Sequence, residues 1–446
     1  MIADSLGLAL VNALFLAAGL GVTAAAGWWR GRGVLGSLGV SYLAGVALYG
    51  VVAQLLYVVG VAMTRLEVIA LCLVLAAGTA LQRAAPERRL PRFGLAGGAV
   101  AAVLAVLAVD LWFQPLWAYD AWTFWTPKAH ALAALGGLDA TWFAQPELVS
   151  RDYPLLLPAV EAAGFRFTGY ETSLLDLQSW LFVCALLLAF AEVVVPRTRR
   201  WATALPVLLV LAPSLADQLA SAEADLPLAA FVACAATTGY LWWQERDRSA
   251  LLLFGVFCAG AAATKAEGIP FVVVVTAVFA AAALRRSAGA ALAAAAAGAV
   301  ALAVGVLPWR LWVDRHHIPQ QASLGRVTDT ALLSRQAGRV PIAARYLLER
   351  LFDPRAWLLL VPLLACLTIL AWLRQRRETA VVAASVALFC VLAMLLAYWT
   401  SQFEIHYHLA TSARRVIDAP IFAWAFLLPL AFPRGPDAEL PKAKAS

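Results

Sequence analysis

The sequence predicts an all-α integral membrane protein of about 13 transmembrane helices, with interfacial helices in its first large exterior loop. Three observations carry that prediction. Of the 446 residues, 63% are hydrophobic and only 14% charged, with a mean hydropathy of +0.79, whereas a soluble domain is about half apolar and a quarter charged. Apolar runs near the length of a bilayer span recur along the whole chain. Lysine and arginine concentrate in alternate loops.

The runs fall at roughly 5–26, 35–63, 67–82, 93–113, 173–195, 201–217, 225–243, 250–264, 268–284, 288–313, 356–373, 379–399 and 420–433. Leu6 to Ala26 follow no basic n-region and precede no small-residue cleavage site, so they read as a retained first span. The narrowest breaks lie around Arg65, Pro213–Glu223 and Lys265–Glu267. The Ala-rich stretch 288–306 suits close helix packing through small residues. Cys72, Cys184, Cys234, Cys258, Cys366 and Cys390 all sit inside apolar runs with no CxxC pair. They read as small buried hydrophobes, not as disulfides or a metal site.

Orientation follows from the basic residues. One set of alternate loops holds Arg30/Arg32, Arg83/Arg88/Arg89/Arg92, Arg197/Arg199/Arg200, Arg246/Arg248, Arg285/Arg286 and Arg374/Arg376/Arg377, with Arg434, Lys442 and Lys444 in the tail. Short loops of the other set hold only Arg65 and Lys265. Positive-inside sorting therefore predicts an exterior N-terminus and a cytoplasmic C-terminus in a bacterial-type inner (plasma) membrane. The net charge of +7 is explained by this sorting and by phosphate contacts, so nucleic acid is not an expected partner. Three larger segments, 114–173, 314–355 and 401–420, then share the periplasmic or extracellular face with all five histidines. The cytoplasmic loops carry no Gly-rich phosphate loop and no DxD. An enzyme of this plan works outside, on a donor other than a cytosolic nucleotide.

On that exterior face, Asp120 lies among Trp117, Tyr119, Trp122, Phe124 and Trp125, with Lys128 and His130 downstream. It reads either as a solvated or helix-capping carboxylate or as a functional acid at the membrane boundary. Residues 128–145 and 154–169 read as short amphipathic interfacial helices. Arg151-Asp152-Tyr153-Pro154 between them is a turn whose proline keeps Tyr153 extended. Glu223 and Asp225, with Pro227, fit a helix start or a second carboxylate facing Asp120. Lys265 is costly at a membrane boundary unless it pairs with Glu267 or holds an anionic headgroup or phosphate. Glu404, His406 and His408 are too few and too poorly spaced for a metal site, so no metal or other cofactor is expected. Arg414 or Arg415, on the arginine-poor side, suits phosphate through its planar fork.

Together these landmarks resemble the C superfamily of membrane glycosyltransferases (GT-C), which use polyprenyl-phosphate sugars and include the protein O-mannosyltransferases and the lipid A aminoarabinose transferases. The resemblance spans roughly 93–420. It rests on Tyr119-Asp120-Ala-Trp122 after a span, Arg151-Asp152-Tyr153-Pro154, Ala224-Asp225-Leu-Pro227, Thr264-Lys265-Ala-Glu267-Gly268, and His408-Leu-Ala-Thr-Ser412-Ala-Arg414. It implies Asp120 and Asp225 as catalytic carboxylates, Arg151, Lys265 and Arg414 at the donor phosphate, and a pocket of Tyr119, Trp122, Lys128, Tyr153, Glu223, Glu267 and His408. Ala121 stands where the mannosyltransferases carry a second acid.

The implied division is a three-helix N-terminal extension (1–92), a GT-C-like transmembrane core (93–313) carrying the exterior loop 114–172, an exterior loop (314–355), and C-terminal helices with a short tail (356–446). The expected activity is transfer of a sugar from a polyprenyl-phosphate donor to a hydroxyl of a glycan, glycolipid or protein. Asp120 would act as general base, with inversion, and membrane lipids are the remaining partner. The alternatives are a transporter or flippase of a lipid-linked or anionic solute, and an O-antigen ligase or polymerase-type enzyme.

Overall fold

A computed structural model describes residues 2–30, 32, 37–81, 94–320, 325–374 and 376–433. The basic loop 83–92 and the tail residues Arg434, Lys442 and Lys444 lie outside the described residues, as do the ends of the runs 35–63, 67–82 and 93–113. Within the described residues the protein is all-helical, with one isolated bridge between Thr198 and Pro433.

The chain opens with α1 (Ile2–Ala25), α2 (Leu38–Val58), α3 (Arg65–Ala76) and α4 (Leu95–Phe113). The break at Arg65 is explained locally: Thr64 and Glu67 form a capping box that starts α3 afresh. After α4 come a single π-helical turn (Ala121–Trp125), then α5 (Thr126–Leu135), α6 (Ala140–Phe143) and α7 (Leu156–Thr168). The stretch expected as one helix over 128–145 is thus two, split where Gly136 turns left-handed at φ +78°. Then follow α8 (Leu175–Val193), α9 (Ala204–Val210), α10 (Pro213–Leu219), α11 (Asp225–Glu245), α12 (Arg248–Thr264), α13 (Gly268–Leu284) and α14 (Ala288–Arg315). The last third holds the short α15 (Gly325–Thr328) and α16 (Thr330–Arg335), then α17 (Arg339–Leu351), α18 (Pro354–Trp357), α19 (Leu360–Leu373), α20 (Arg377–Thr400), α21 (Ile405–Val416) and α22 (Asp418–Leu427).

Seven of these helices are long and apolar enough to cross a membrane, or up to nine if each of two bent pairs is one span. The bent pairs are Arg200–Val210 with Pro213–Leu219, at 57°, and Arg339–Trp357 with Leu360–Leu373, at 110°. This is fewer than the thirteen apolar runs, because several runs form helices too short to span and others are bent or broken. The two 17-residue helices α12 and α13 rise only about 25 Å, short of a hydrocarbon core of about 30 Å. The runs 67–82 and 420–433 fold as the 12-residue α3 and the 10-residue α22, each followed by a 3₁₀ turn.

The N-terminal helices pack into the rest of the bundle. Phe15, Tyr49, Phe182, Phe231 and Phe422 belong to one continuous core. Gly45 lets α2 lie against α1, since a Cβ there would sit 2.0 Å from the Phe15 carbonyl. On the same α2, Gln54 donates to the Gly305 carbonyl (2.9 Å) and accepts from the Leu155 amide (3.0 Å), locking α2 to α14 and to the start of α7. A buried amide with both ends satisfied is a specific tie, not a liability.

Alternate loops gather at opposite ends of the bundle. At one end Arg32 meets Asp247 (2.7 Å), Arg197 meets Glu245 (2.8 Å) and Arg199 bonds the Phe432 carbonyl (3.1 Å). At the other end the 114–173 segment meets the turns before α11 and α13 and the stretch 401–417.

Candidate functional site

The second end holds a cluster of buried charge. Asp120 enters it from the link after α4, directly ahead of the π-helical turn in which the Thr126 amide bonds back to Ala121. Such turns re-aim neighbouring side chains and recur at functional sites. Glu223 sits in the turn before α11 and Asp225 on the first residue of that helix. Lys265 and Glu267 occupy the three-residue link between α12 and α13. The link is tight because Gly268 lies against the Ala261 carbonyl, where a Cβ would come within 1.9 Å. Arg415 reaches in from the amphipathic α21, whose inner face is Leu409, Ser412, Ala413 and Val416.

These side chains pair with one another, although Glu223 Oε2, Asp225 Oδ2, Glu267 Oε2 and Arg415 Nε are buried without a hydrogen-bond partner. Arg415 Nη2 donates to Asp120 Oδ2 at 2.6 Å, and its Nη1 pairs with Glu223. Lys265 Nζ donates to Asp225 Oδ1 at 2.7 Å and stands 3.6 Å from Glu267 Oε1. Asp225 is therefore both a helix start and a buried ion-pair partner, and it takes Lys265 ahead of Glu267.

Burial works against the Lys265 ammonium, but Asp225 and Glu267 outweigh it and raise its pKa. Arg415 behaves alike: burial opposes its charge, and Asp225, Glu223 and Asp120 more than restore it. Burial lifts Glu223 to about 7 against the pull of Arg415. It also raises Glu267 against Lys265.

Through Glu267 the cluster borders a cavity of about 1360 Å³ between α13, α14 and α20. Tyr153, Glu267, Arg310, Arg326 and His408 line its polar end beside the cluster, apolar side chains such as Val274, Ala277, Phe389 and Ala393 line the middle, and Arg285, Arg286 and Glu378 lie at the far end. Tyr153 packs its ring on Phe124 (5.8 Å) and Trp125 (5.9 Å), and burial raises its phenol well above the ordinary range. The His408 ring sits against Tyr398 and Phe403. Burial, with Lys265 and Arg339 adding repulsion, lowers His408 to about 4.

The remaining residues singled out in the sequence lie elsewhere. Arg151 donates to the carbonyls of Leu148 (2.9 Å) and Ala144 (2.9 Å), closing its own loop and not joining Lys265. Arg414 pairs with Asp217 at 2.5 Å in a half-exposed bridge. Adjacent helix residues point about 100° apart, so Arg415 and not Arg414 reaches the carboxylates. Lys128 is buried behind the cavity wall on the carbonyls of Ser150 and Tyr153. Tyr119 and Trp122 are largely exposed. Glu404 caps α21 through the His406 and Tyr407 amides.

Arg310 and Arg326 were given no role by sequence reading. Arg310 bonds Asp152 Oδ2 at 3.0 Å, and Arg326 donates to the Thr400 and Ser401 carbonyls at the end of α20. The signal for Arg310 was an arginine within the last turns of a long apolar helix on the arginine-poor side. Arg326 had none. No protein-family model matches the chain, and no curated protein or solved structure matches it.

Proposed function

We propose that the protein is a membrane glycosyltransferase of the GT-C type that moves a sugar from a polyprenyl phosphate to an acceptor hydroxyl on the exterior face of a plasma membrane. The observation that carries this reading is the joining of a buried acid–base cluster to the polar end of a long apolar cavity. The face of α20 that lines the cavity runs from Glu378 to Thr400. That is about 33 Å at 1.5 Å per residue, close to the full hydrocarbon thickness. An ordinary lipid tail reaches only half that depth, so a single tail filling the groove is longer than a membrane acyl chain.

Arg310 and Arg326 suit the lipid phosphate better than Arg151 or Arg414, because they line the cavity itself. Lys265 is committed to Asp225 and Glu267 and serves the reaction by holding both acids in place. The acceptor hydroxyl attacks the anomeric carbon and its proton passes to Asp120. The bond from that carbon to the phosphate oxygen breaks, and the electron pair leaves on the lipid phosphate, stabilised by Arg310 and Arg326. One displacement inverts the anomeric centre. The acceptor is a glycan, glycolipid or protein hydroxyl.

The test is incubation of the purified protein in lipid nanodiscs with polyprenyl-phosphate sugars, measuring release of polyprenyl phosphate and transfer to added acceptors. Turnover in the native protein and its loss in Asp120→Asn support the proposal. Movement of intact lipid-linked sugar across a vesicle membrane, with no bond broken, replaces it with the transporter reading.

A further inference from the structure

Lys128 is wholly buried, and nothing in the proposed chemistry uses it. It lies on α5 with its ammonium facing the adjacent rings of Phe124 (5.9 Å) and Trp125 (5.8 Å). It donates to the carbonyls of Ser150 at 2.5 Å and Tyr153 at 3.3 Å. These are the two ends of the turn that presents Tyr153 to the cavity. Ser150 has φ +49°, a left-handed backbone that a serine adopts only when its surroundings hold it there. Between the two ends, the Asp152 carbonyl accepts from Trp309 Nε1 (2.9 Å) and its carboxylate from Arg310 (3.0 Å).

We propose that Lys128 is the positioning residue of the cavity's polar end, fixing the Ser150–Tyr153 turn so that Tyr153 and Arg310 meet the phosphate of the lipid. This rests on the lipid-phosphate reading above and adds to it a residue that touches no substrate. The turn is gripped from two sides, by Lys128 on α5 and by Trp309 and Arg310 on α14. Removing one grip leaves Asp152, and with it Arg310, on a turn whose ends are still joined by the Tyr153 amide to the Ser150 carbonyl (3.1 Å) but are no longer clamped together by the ammonium. The Tyr153 ring rests on the same two aromatic rings that the ammonium faces, so ring and turn shift as a unit.

The arrangement also makes the grip sensitive to pH. Burial lowers the Lys128 pKa to about 7, opposed by Asp152 and reinforced by Arg310; Arg151, turned to the carbonyls of Leu148 and Ala144, and the Tyr153 phenol, which burial keeps neutral, are the other ionisable groups of this turn. The ammonium is present below about 7 and lost above it, so the grip loosens as pH rises. The ligand pulls the other way, because a phosphate monoester gains negative charge with rising pH, which on its own strengthens binding to arginine. The two effects have opposite signs.

The experiment measures binding of polyprenyl phosphate, with the uncharged polyprenol as control, to the full-length protein in nanodiscs below and above the Lys128 pKa. The native protein should prefer the phosphate at low pH and lose about tenfold of that preference at high pH, the scale of one charge-assisted hydrogen bond. Lys128→Met should show the weaker preference throughout, without that fall. Lys128→Arg, charged at both values, should keep the preference at both. A native protein with no preference for phosphate at either pH defeats the lipid-phosphate reading itself. A preference that is present in the native protein and unchanged in Lys128→Met at both pH values overturns the role of Lys128 alone.

Discussion

Arg415 Nη2 stands 2.6 Å from the Asp120 carboxylate across 295 residues of sequence. Its other terminal nitrogen holds Glu223, so one guanidinium ties the start of the 114–173 segment to the turn before α11. Asp120 is thereby held in the cluster whose Glu267 lines the cavity, and is not left free to accept a proton. Under the proposed reaction, an incoming phosphate draws on the positive field of Arg415 and slackens its hold on Asp120. The base then becomes available when donor is bound.

Replacing Asp120 with Asn should lower transfer at least about 100-fold, the lower range for loss of a general base, while donor binding and the melting temperature stay near native values. Donor binding lost in step with activity would instead make Asp120 a structural partner of Arg415.

Arg415→Met should be far more damaging to folding. It leaves Asp120 and the buried Glu223 without their shared cation, and breaking a buried pair costs about 3–5 kcal/mol. Adding Glu223→Gln should recover part of the loss, because a neutral amide removes the unpaired buried charge. Melting curves of the single and double variants in detergent measure this, and no recovery in the double variant would show that Glu223 is protonated beforehand.

Lys265 and Asp225 call for a double-mutant cycle. Lys265→Met and Asp225→Asn should each lower stability by about 3 kcal/mol, because each strands a charge that is almost fully buried. The double variant should lose much less than their sum. Additive losses would mean that Glu267 is the working partner of Lys265, despite its greater distance of 3.6 Å.

Much of this site was legible in the sequence because charge stands out in an apolar chain. Asp120, Glu223, Asp225, Lys265 and Glu267 were each conspicuous, and all lie in the cluster. What composition could not decide was direction. Arg414 and Arg415 are equivalent in a string but about 100° apart on a helix, and only the packing of Leu409, Ser412 and Ala413 selects the second. Arg151 looked available because a loop arginine gives no sign of the carbonyls that bind it. Arg326 acts through the end of a helix 74 residues away, a relation with no local pattern. The apolar runs were found, and α12 and α13 end where their runs do, but at 17 residues each they fall short of a full span.

His408 should leave a mark on the acid stability of the protein. Its pKa falls from an ordinary 6.5 to about 4 in the folded state, so the unfolded chain binds more protons throughout that interval. Stability therefore rises with pH between about 4 and 6.5, and the contribution is lost progressively as pH falls through that window. His408→Gln should flatten the part of the melting-temperature profile that belongs to this residue. Parallel profiles for the native and variant proteins over that range would mean that the ring is not held neutral.

The groove offers a test that leaves the charged cluster untouched. Ala277 on α13 lines the cavity away from Glu267 and His408, and a large ring placed there occupies the path of a tail without meeting the phosphate end. Ala277→Trp should preserve folding, because the added bulk projects into open space and does not overpack the core. It should preserve binding of a short-tailed isoprenoid phosphate, whose tail stops before the obstruction. Binding of the long-tailed donor should fall about tenfold or more, since each buried methylene displaced is worth about 0.8 kcal/mol. Equal binding of short and long tails in the native protein, unchanged by the tryptophan, would show that the tail lies outside the groove, among the bulk lipids.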